Sequence, residues 1–448
     1  MIVQKFGGTS LENAGALERA AGIVARARGD YPLVVVSAMG GTTDGLVAAL
    51  DAAVGGDEAA ALAVLSDVRG RTQDAAHRFF GVSAPPVLAE LAPLFSDLDR
   101  MAGAIAVLRS VPSDARDAFL AHGERISGLV VAAALAARGL PAVAFDVRDV
   151  LKTDDAFGRA RPDMREIELR AAQTLAPLVA AARIPVVGGF IGAAPDGRTT
   201  TLGRGGSDYS AAILGAAMGA SAVEIWTDVD GMMTTDPRIV PEARLIEAIA
   251  FEEASELAYF GARVLHPLTL APAIEKGIPV RVRNACRPEF PGTEIRAAAP
   301  SGASPIRAIA FKKGLTTVDM VTTRMLMASG FLATLFEVFA RHQTPVDMIA
   351  TSEVSVSVTV DDPSRLPEIR RDLQKLADVE VAPGRALVCL VGQDLKHTPG
   401  LAVRIFRAVE AINILMISQG ASQRNVSFVV EEKDADEAVR RLHKEFFS

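Results

Sequence analysis

A lysine followed by two glycines lies near the start of the chain, in the sequence Lys5-Phe6-Gly7-Gly8-Thr9-Ser10. Glycines allow backbone N–H groups to approach an anion, and a helix N-terminus would add a favourable dipole. Lys5 could supply a point charge to a phosphate group. Because the segment lacks the Gly-Lys-Ser/Thr ending of a P-loop, two interpretations stay open: a phosphate-binding loop, or only a tight connection.

A second loop of small residues, Ser37-Ala38-Met39-Gly40-Gly41-Thr42-Thr43-Asp44, follows the next apolar run. In open α/β sheets, ligands bind beyond the carboxyl ends of the parallel strands. Two such loops after two strands are a more specific signal than one.

The densest group of reactive residue types is the segment 197–208, Gly-Arg-Thr-Thr-Thr-Leu-Gly-Arg-Gly-Gly-Ser-Asp. Arg204 could hold a carboxylate through two parallel hydrogen bonds. Asp208 could position Lys5 or a metal ion. The alternative is a flexible loop without a ligand.

Glu124 lies in His122-Gly123-Glu124-Arg125, a sequence that opens a predicted helix. Its carboxylate could bind the ammonium group of a substrate. The alternative is an acidic residue that only complements the helix dipole. His122 by itself is interpreted as structural.

The segment 226–238 follows another apolar run and reads Trp-Thr-Asp-Val-Asp-Gly-Met-Met-Thr-Thr-Asp-Pro-Arg. Asp-Gly and Asp-Pro favour turns, but the position after a strand makes this a candidate nucleotide loop. His266, Cys286 and the methionines are interpreted as structural, and no cluster of nitrogen or sulfur donors forms a metal site. Any metal would be Mg²⁺, held by phosphates and a carboxylate.

Short β-branched runs alternate with helical patterns over roughly the first 290 residues, and these elements must position the loops. The predicted strands are Ile2–Phe6, Leu33–Val36, Ala142–Phe145, Ile184–Val187 and Ala222–Trp226. Continuous apolar runs of this kind are typical of strands buried on both faces. The alternation predicts an α/β layer fold with a largely parallel sheet.

Composition bounds the function class. The chain has 448 residues, of which 50% are hydrophobic and 5% aromatic, with a net charge of −7. This length corresponds to about three domains. The charge argues against a general nucleic-acid binder, and two cysteines cannot form a disulfide framework. Neither a signal peptide nor an apolar run of ~18 residues is found, so a cytoplasmic enzyme without a membrane segment is expected.

Turn and linker residues between Phe290 and Pro305 predict the end of a first domain, 1–290. Beyond it, strands at 315–321, 346–350, 354–360 and 379–382 and helices at 330–342 and 363–376 give a βαββαβ unit, 312–384. A second unit, 385–448, is one strand short, and Ile306–Phe311 could supply that strand. The predicted second domain is therefore 305–311 plus 385–448, with the first unit inserted into it.

Taken in order, the motifs at 5–10, 122–124, 199–208 and 234–238 resemble those of the aspartate kinases (aspartokinases) over essentially the whole chain. The tail resembles the paired ACT domains of the lysine-sensitive, monofunctional branch. The resemblance implies a three-layer amino-acid-kinase fold with a mainly parallel sheet, followed by two interleaved βαββαβ ACT domains. It also implies the entry reaction of lysine, threonine and methionine biosynthesis, in which ATP with Mg²⁺ phosphorylates the β-carboxylate of L-aspartate to give 4-phospho-L-aspartate.

The resemblance assigns roles residue by residue. The implied catalytic residues are Lys5 and Asp208. The implied ATP-binding residues are Lys5, Gly7, Gly8, Ser37, Thr227, Asp228, Met233, Arg238 and Arg263. The implied aspartate-binding residues are Thr43, Glu124, Arg204 and Ser207. Met233 and Arg263 depart from the Tyr and Lys expected in this branch, which affects the expected nucleotide affinity but not the reaction.

Feedback inhibition by L-lysine is implied as well, at a site in the first ACT domain. Its implied residues are Met325, Gly330, Phe331, Leu332, Val346, Asp347, Ser352 and Glu353. A homodimer through the ACT domains, or a tetramer, is expected, with no nucleic-acid or membrane partner. Two alternatives stay open: another amino-acid kinase of the same fold, such as a glutamate or acetylglutamate kinase, and a catalytically inactive amino-acid sensor.

Overall fold

The computed structural model describes residues 1–260, 267–298, 305–325 and 329–448. They form two compact units. The first comprises residues 1–232, 247–251 and 267–298. The second comprises residues 233–246, 252–260 and the described residues from 305 onwards.

A mainly parallel sheet forms the centre of the first unit. Its strands are β1 (Ile2–Phe6), β2 (Leu33–Val36), β3 (Ala142–Phe145), β4 (Ile184–Gly188), β7 (Ala222–Thr227), β8 (Ala248–Ala250), β9 (Val280–Asn284) and β10 (Thr293–Arg296), and a separate hairpin consists of β5 (Ile191–Ala193) and β6 (Thr199–Thr201). The order in the sheet is β3-β4-β2-β1-β7-β9-β10-β8, and only the β9–β10 pair is antiparallel. The predicted fold class is confirmed.

Helices accompany this sheet. They are α1 (Ala14–Arg26), α2 (Thr42–Val54), α3 (Glu58–Phe80), α4 (Ala84–Leu108), α5 (Ser113–Leu120), α6 (His122–Ala137), α7 (Met164–Ala180), α8 (Gly206–Ala217) and α10 (Ala271–Glu275), whereas α9 (Phe251–Tyr259) belongs almost wholly to the second unit. The Asn13 side chain caps α1 by accepting a hydrogen bond from the Ala16 amide, N to Oδ1 3.0 Å. The core between helices and sheet is largely aliphatic, with Leu17, Val34, Leu50 and Leu135 all fully buried.

Two helical stretches, 58–108 and 113–137, are long and apolar enough to cross a membrane by composition alone. The expectation that the chain holds no such stretch is therefore too strict. Of the most apolar window in 113–137, 78% is buried inside the protein, as in the core helix of a globular domain; in 58–108 the figure is 28%.

The second unit contains a six-stranded antiparallel sheet. Its strands are β11 (Ile306–Val321), β12 (Ile349–Thr351), β13 (Ser355–Val360), β14 (Asp378–Gly392), β15 (Met416–Gln419) and β16 (Asn425–Glu431), in the order β12-β13-β11-β14-β16-β15. Its helices are α11 (Phe331–Arg341), α12 (Leu366–Leu373), α13 (Leu401–Ala408) and α14 (Ala435–Phe447).

Two of these strands are longer than the sequence predicts. The strands predicted at 306–311 and 315–321 are continuous in β11, and the strand predicted at 379–382 extends to Gly392 in β14. Gly314 and Gly384 adopt φ values of 77° and 73°, a region that glycine enters at little cost. The β11–β14 register shifts between Lys312 and Leu315, so the glycines accommodate an irregularity instead of ending the strands.

Each half of β11 belongs to a different hydrophobic core. Ile306 and Ile309 pack with residues from 386 onwards, among them Val388 and Phe428. In the other half, Val318 and Met320 pack with residues of the segment 335–373.

Two segments placed before residue 290 by the predicted boundary pack with the second unit instead. Val240 lies in the core that contains Ile306 and Phe428, and the Ile309 amide donates to the Thr234 carbonyl, N to O 2.7 Å. Glu256 of α9 accepts hydrogen bonds from Ser422 and Asn425, each 2.7 Å. These partners are distant in sequence, so a local pattern could not reveal them.

Candidate active site

Four adjacent parallel strands, β4, β2, β1 and β7, end at one edge of the first unit's sheet. Backbone hydrogen bonds join the loops that follow them. Gly7 N donates to Trp226 O (3.0 Å), Ser37 N to Phe6 O (3.0 Å), and Gly189 N to Val36 O (2.8 Å). The small-residue loops predicted from sequence therefore meet at a single edge.

Lys5 and Asp208 form an ion pair at this edge, Nζ to Oδ1 2.6 Å. Lys5 lies on β1, and Asp208 lies in the first turn of α8. Their side chains are only 10% and 14% exposed, so the pair is largely shielded from solvent. A fixed cation beside a glycine loop can neutralise negative charge on a bound phosphoryl group.

Glycines allow the loops to pack backbone against backbone. A Cβ on Gly8 would lie 2.8 Å from the Ala38 carbonyl oxygen, and one on Gly189 would lie 2.8 Å from Ser207 Cα. Gly41 and Gly205 both adopt φ of 72° directly before α2 and α8. The N-termini of α2 and α8 therefore follow tight glycine turns of a kind that other residues adopt only with strain.

Glu124 is buried in the first turn of α6, 5% exposed. One of its oxygens accepts a hydrogen bond from the Ala38 amide, N to Oε1 3.2 Å. Burial raises the pKa of Glu124 to about 8, although the Ala38 hydrogen bond and the charge of Lys5 oppose the shift. The group is poised to ionise when a cation binds to it.

The other predicted substrate residues differ in exposure. Arg204 is exposed in the turn between β6 and α8, and Thr43 is exposed in the first turn of α2. Ser37 is half-buried, and Ser207 is buried next to Asp208. The structure thus brings Lys5, Gly7, Gly8, Ser37, Glu124, Ser207 and Asp208 to neighbouring loops and first helical turns.

The predicted nucleotide residues are divided between the two compact units. Thr227 ends β7, and its hydroxyl lies 3.2 Å from Asp228 Oδ1. Met233 and Arg238 belong to the second unit, where Arg238 pairs with Asp236 at 2.5 Å (Nη2 to Oδ2). Arg263 lies outside the described residues.

Sequence reasoning missed Asp117, a carboxylate that is 1% exposed. It accepts hydrogen bonds from Gly158 and Thr201, which lie 41 and 84 residues further along the chain. Nothing local marks it, because an aspartate in a helix is ordinarily an exposed residue.

Asp347 of the predicted lysine site is already engaged on both oxygens. Lys312 Nζ lies 3.2 Å from Oδ2, and the Tyr259 hydroxyl lies 3.3 Å from Oδ1. Lys312 also pairs with Asp361, Nζ to Oδ2 2.9 Å. An ammonium group thus occupies the carboxylate that is expected to bind the effector.

The other predicted effector residues surround α11 and the β12–β13 turn. Gly330 adopts φ of 83° just before α11, whose first residues are Phe331 and Leu332. Met325, Phe331 and Val346 pack partly buried on the core of this domain, whereas Ser352 and Glu353 are exposed. In the described part of the chain, no group of three or more His, Cys, Asp or Glu side chains could hold a metal ion.

Known proteins resemble this chain closely. Residues 1–284 match the family model of the amino acid kinase family, and residues 318–364 and 388–446 match an ACT domain model. The lysine-sensitive aspartokinase 3 of Escherichia coli K12 is 40% identical over 456 residues, covering 100% of this chain and 99% of that protein.

Two solved structures of E. coli aspartokinase III are similar over 100% of both chains. One is the R-state complex with aspartate and ADP, at 39% identity and a TM-score of 0.87. The other is the T-state complex with lysine and aspartate, at 38% identity and a TM-score of 0.85.

Proposed function

This chain belongs to the aspartokinases of the amino acid kinase family, and we propose that it transfers the γ-phosphoryl group of ATP to the β-carboxylate of L-aspartate. The products are 4-phospho-L-aspartate and ADP. The observation that carries this proposal is the shielded Lys5–Asp208 ion pair at the sheet edge, Nζ to Oδ1 2.6 Å.

A carboxylate nucleophile needs no general base, so catalysis rests on positioning and on neutralising charge. Lys5 stabilises the negative charge that develops on the transferred phosphoryl group. Asp208 holds the Lys5 ammonium in place, and because the pair is shielded from water its electrostatic effect is strong.

Opposite charges recognise the two ends of the amino acid. Arg204 binds the α-carboxylate, and Glu124 binds the α-ammonium group. The buried position of Glu124 supports this role, because an incoming cation stabilises the ionised form that burial disfavours. Thr43 and Ser207 add hydrogen bonds through their hydroxyl groups.

The nucleotide phosphates lie along the loops of Gly7, Gly8 and Ser37. We assign nucleotide-binding roles to Thr227, Asp228, Met233, Arg238 and Arg263 as well. A Mg²⁺ ion held by the ATP phosphates would neutralise part of their charge. The described residues offer no cage of several carboxylates, which fits a metal held mainly by phosphate oxygens.

Feedback inhibition by L-lysine completes the proposal, with Met325, Gly330, Phe331, Leu332, Val346, Asp347, Ser352 and Glu353 as the binding site. The lysine complex of E. coli aspartokinase III supports lysine as the effector. The enzyme then acts at the entry to lysine, threonine and methionine biosynthesis in the cytoplasm.

We propose a kinase domain of 1–290, whose segments 233–246 and 252–260 fold with the second unit, and ACT domains of 312–384 and of 305–311 plus 385–448. The packing of Ile306 and Ile309 with Val388 and Phe428 supports the interleaved arrangement. We propose assembly through the ACT domains into a homodimer or tetramer.

Release of ADP from ATP·Mg²⁺ tests the activity, with L-aspartate, L-glutamate and N-acetyl-L-glutamate supplied in turn. We expect release with aspartate alone, and trapping of the product by hydroxylamine as the hydroxamate. Preference for either glutamate substrate would point to another amino-acid kinase, and no release with any substrate would point to an inactive sensor.

A further inference from the structure

Asp117 is a buried carboxylate of α5 that binds only neutral donors. Its oxygens accept three hydrogen bonds: from Gly158 N to Oδ2 (2.8 Å), from Thr201 N to Oδ2 (2.7 Å) and from Thr201 Oγ1 to Oδ1 (3.0 Å). In the described part of the chain it forms no ion pair within 4 Å. Burial raises the pKa of Asp117, and the three hydrogen bonds oppose that shift.

Burying a carboxylate away from cations costs free energy of folding. The groups that hydrogen-bond to such a residue therefore indicate its role. Thr201 is the last residue of β6 and lies three positions before Arg204. Gly158 belongs to a separate turn, and a Cβ on Gly203 would lie only 3.1 Å from the Gly158 carbonyl oxygen. Asp117 is therefore hydrogen-bonded to two separate segments, at Gly158 and at Thr201, which both lie next to the Arg204 turn.

Further backbone hydrogen bonds extend the same support. Ala160 N donates to Thr201 O (2.9 Å), and Leu202 N donates to Phe190 O (2.9 Å). Phe190 has φ of 67°, an uncommon value for a residue with a side chain. These hydrogen bonds fix the backbone that flanks the Arg204 turn. The Asp117 carboxylate accepts three of the hydrogen bonds in this network.

We propose that Asp117 is a positioning residue for aspartate recognition. It holds the turn that bears Arg204 in place, so that the Arg204 guanidinium can bind the substrate α-carboxylate. The inference rests on the proposed role of Arg204. Positioning errors of about 1 Å can cost roughly a hundredfold in rate. Loosening this turn should therefore change the KM for aspartate far more than the KM for ATP.

The test compares Asp117→Asn with Asp114→Asn. Asp114 is on the same helix but is more exposed and pairs with Arg198, Oδ2 to Nη1 2.9 Å. For Asp117→Asn we expect the KM for aspartate to rise about tenfold, with the KM for ATP changed less than twofold. Asp114→Asn should leave both values near those of the wild type.

A purely structural role would lower the melting temperature and the fraction of active enzyme but would leave the KM for aspartate unchanged, and that result overturns the proposal. Where Asp117→Asn does not fold, Thr201→Val decides, since it removes only the hydroxyl bond to Asp117. Its control is Thr200→Val, which removes a buried hydroxyl bonded to Thr153 instead, Oγ1 to Oγ1 2.7 Å. Equal KM values for aspartate in these two variants would also overturn the proposal.

Arg204→Ala separates this inference from the proposed function. If Arg204→Ala leaves the KM for aspartate unchanged, the assignment of Arg204 is wrong. If Arg204→Ala raises that KM and Asp117→Asn does not, only the positioning role of Asp117 is lost.

Discussion

At the scale of single residues, the candidate site combines charged groups in different degrees of burial. Lys5 and Asp208 are shielded and paired, Glu124 is buried without a cation bonded to it in the described structure, and Arg204 is exposed. A shielded pair is preorganised for a charge that develops during reaction. The exposed Arg204 and the buried Glu124 are instead available to form ion pairs with the charged groups of a ligand.

Replacing Lys5 by methionine should lower kcat by roughly 10²–10³-fold, because one preorganised cation is lost where negative charge develops. The effect is measured as steady-state ADP release at saturating aspartate and ATP. Lys5→Met also leaves Asp208 unpaired, so the melting temperature is recorded alongside. A folded variant that retains more than a third of the wild-type kcat would show that Lys5 has no catalytic role.

Replacing Arg204 by alanine should cost about 2–5 kcal/mol in kcat/KM for aspartate, the scale for truncating one partner of a buried charge pair. Because the Arg204 side chain is exposed, the stability of the protein should change little. Kinetics with varied aspartate provide the measurement. Unchanged kcat and KM would mean that another residue binds the α-carboxylate.

Glu124 makes aspartate binding dependent on pH. Its pKa of about 8 means that the carboxyl must lose a proton to bind an ammonium group at neutral pH. The KM for aspartate should therefore fall as pH rises from 6 towards 8, and Glu124→Gln should remove this dependence. A wild-type KM that is flat over this range contradicts the assignment.

Thermal unfolding provides an independent check on Glu124. Because folding raises its pKa from 4.5, the carboxyl costs no stability below that pH and costs progressively more as pH rises to about 8. The melting temperature of Glu124→Gln should exceed that of the wild type by a margin that grows over this interval.

At the scale of elements, β11 brings a built-in ammonium group to the predicted effector site. Lys312 lies at the irregularity between the two halves of this strand, and its Nζ pairs with both Asp347 and Asp361. The Tyr259 hydroxyl, at the end of α9, approaches the other oxygen of Asp347. An effector ammonium group has to displace these contacts.

Removing the competing cation should make the enzyme more sensitive to lysine. We expect Lys312→Met to lower the half-inhibitory lysine concentration about fivefold, the equivalent of roughly 1 kcal/mol for one displaced contact.

Asp347→Ala should abolish inhibition with little change in uninhibited kcat, because only the differential affinity of the effector changes. Lysine titrations of activity measure both effects.

Lys313→Met is the matched control for Lys312→Met. The neighbouring Lys313 pairs with Asp436 of α14, Nζ to Oδ1 2.7 Å, and not with Asp347. Superimposable titration curves for Lys312→Met and Lys313→Met would show that Lys312 does not compete with the effector. A flat wild-type curve would instead remove lysine as the effector.

At the scale of the whole molecule, part of the predicted nucleotide region folds with the six-stranded sheet of the second unit. The segment 233–246 contains Met233 and Arg238, and its Thr234 contacts His443 of α14, Oγ1 to Nε2 3.0 Å. Thr234 Oγ1 also accepts a hydrogen bond from the Arg244 amide, N to Oγ1 2.9 Å. Burial lowers the pKa of His443, which favours the neutral ring at this contact.

Loss of the Thr234–His443 hydrogen bond should loosen the segment that carries Arg238. For His443→Leu we expect the KM for ATP to rise roughly fivefold, corresponding to about 1 kcal/mol for one hydrogen bond. Initial-rate kinetics with varied ATP measure the effect. His397→Leu, which changes an exposed histidine in the same sheet domain, serves as the control. Equal KM values for ATP in both variants would contradict the prediction.

The fold class, and the loops that meet at the sheet edge, could be predicted from the amino-acid sequence. Runs such as Leu33–Val36 are apolar on both faces, and only a strand buried between layers places such a run away from water. Small residues at the ends of these runs mark the carboxyl edge, because glycine alone allows the loops to approach as closely as Gly8 and Ala38 do.

The burial of the charged groups, and the segments that share a core, became visible only in the folded chain. The pKa of Glu124, the hydrogen bonds of Asp117 and the contacts of Asp347 arise from residues far apart in sequence. The same holds for Thr234 and His443, which are 209 positions apart. Periodicity reports which face of an element is buried, whereas desolvation and hydrogen bonding depend on the particular groups that folding brings into contact.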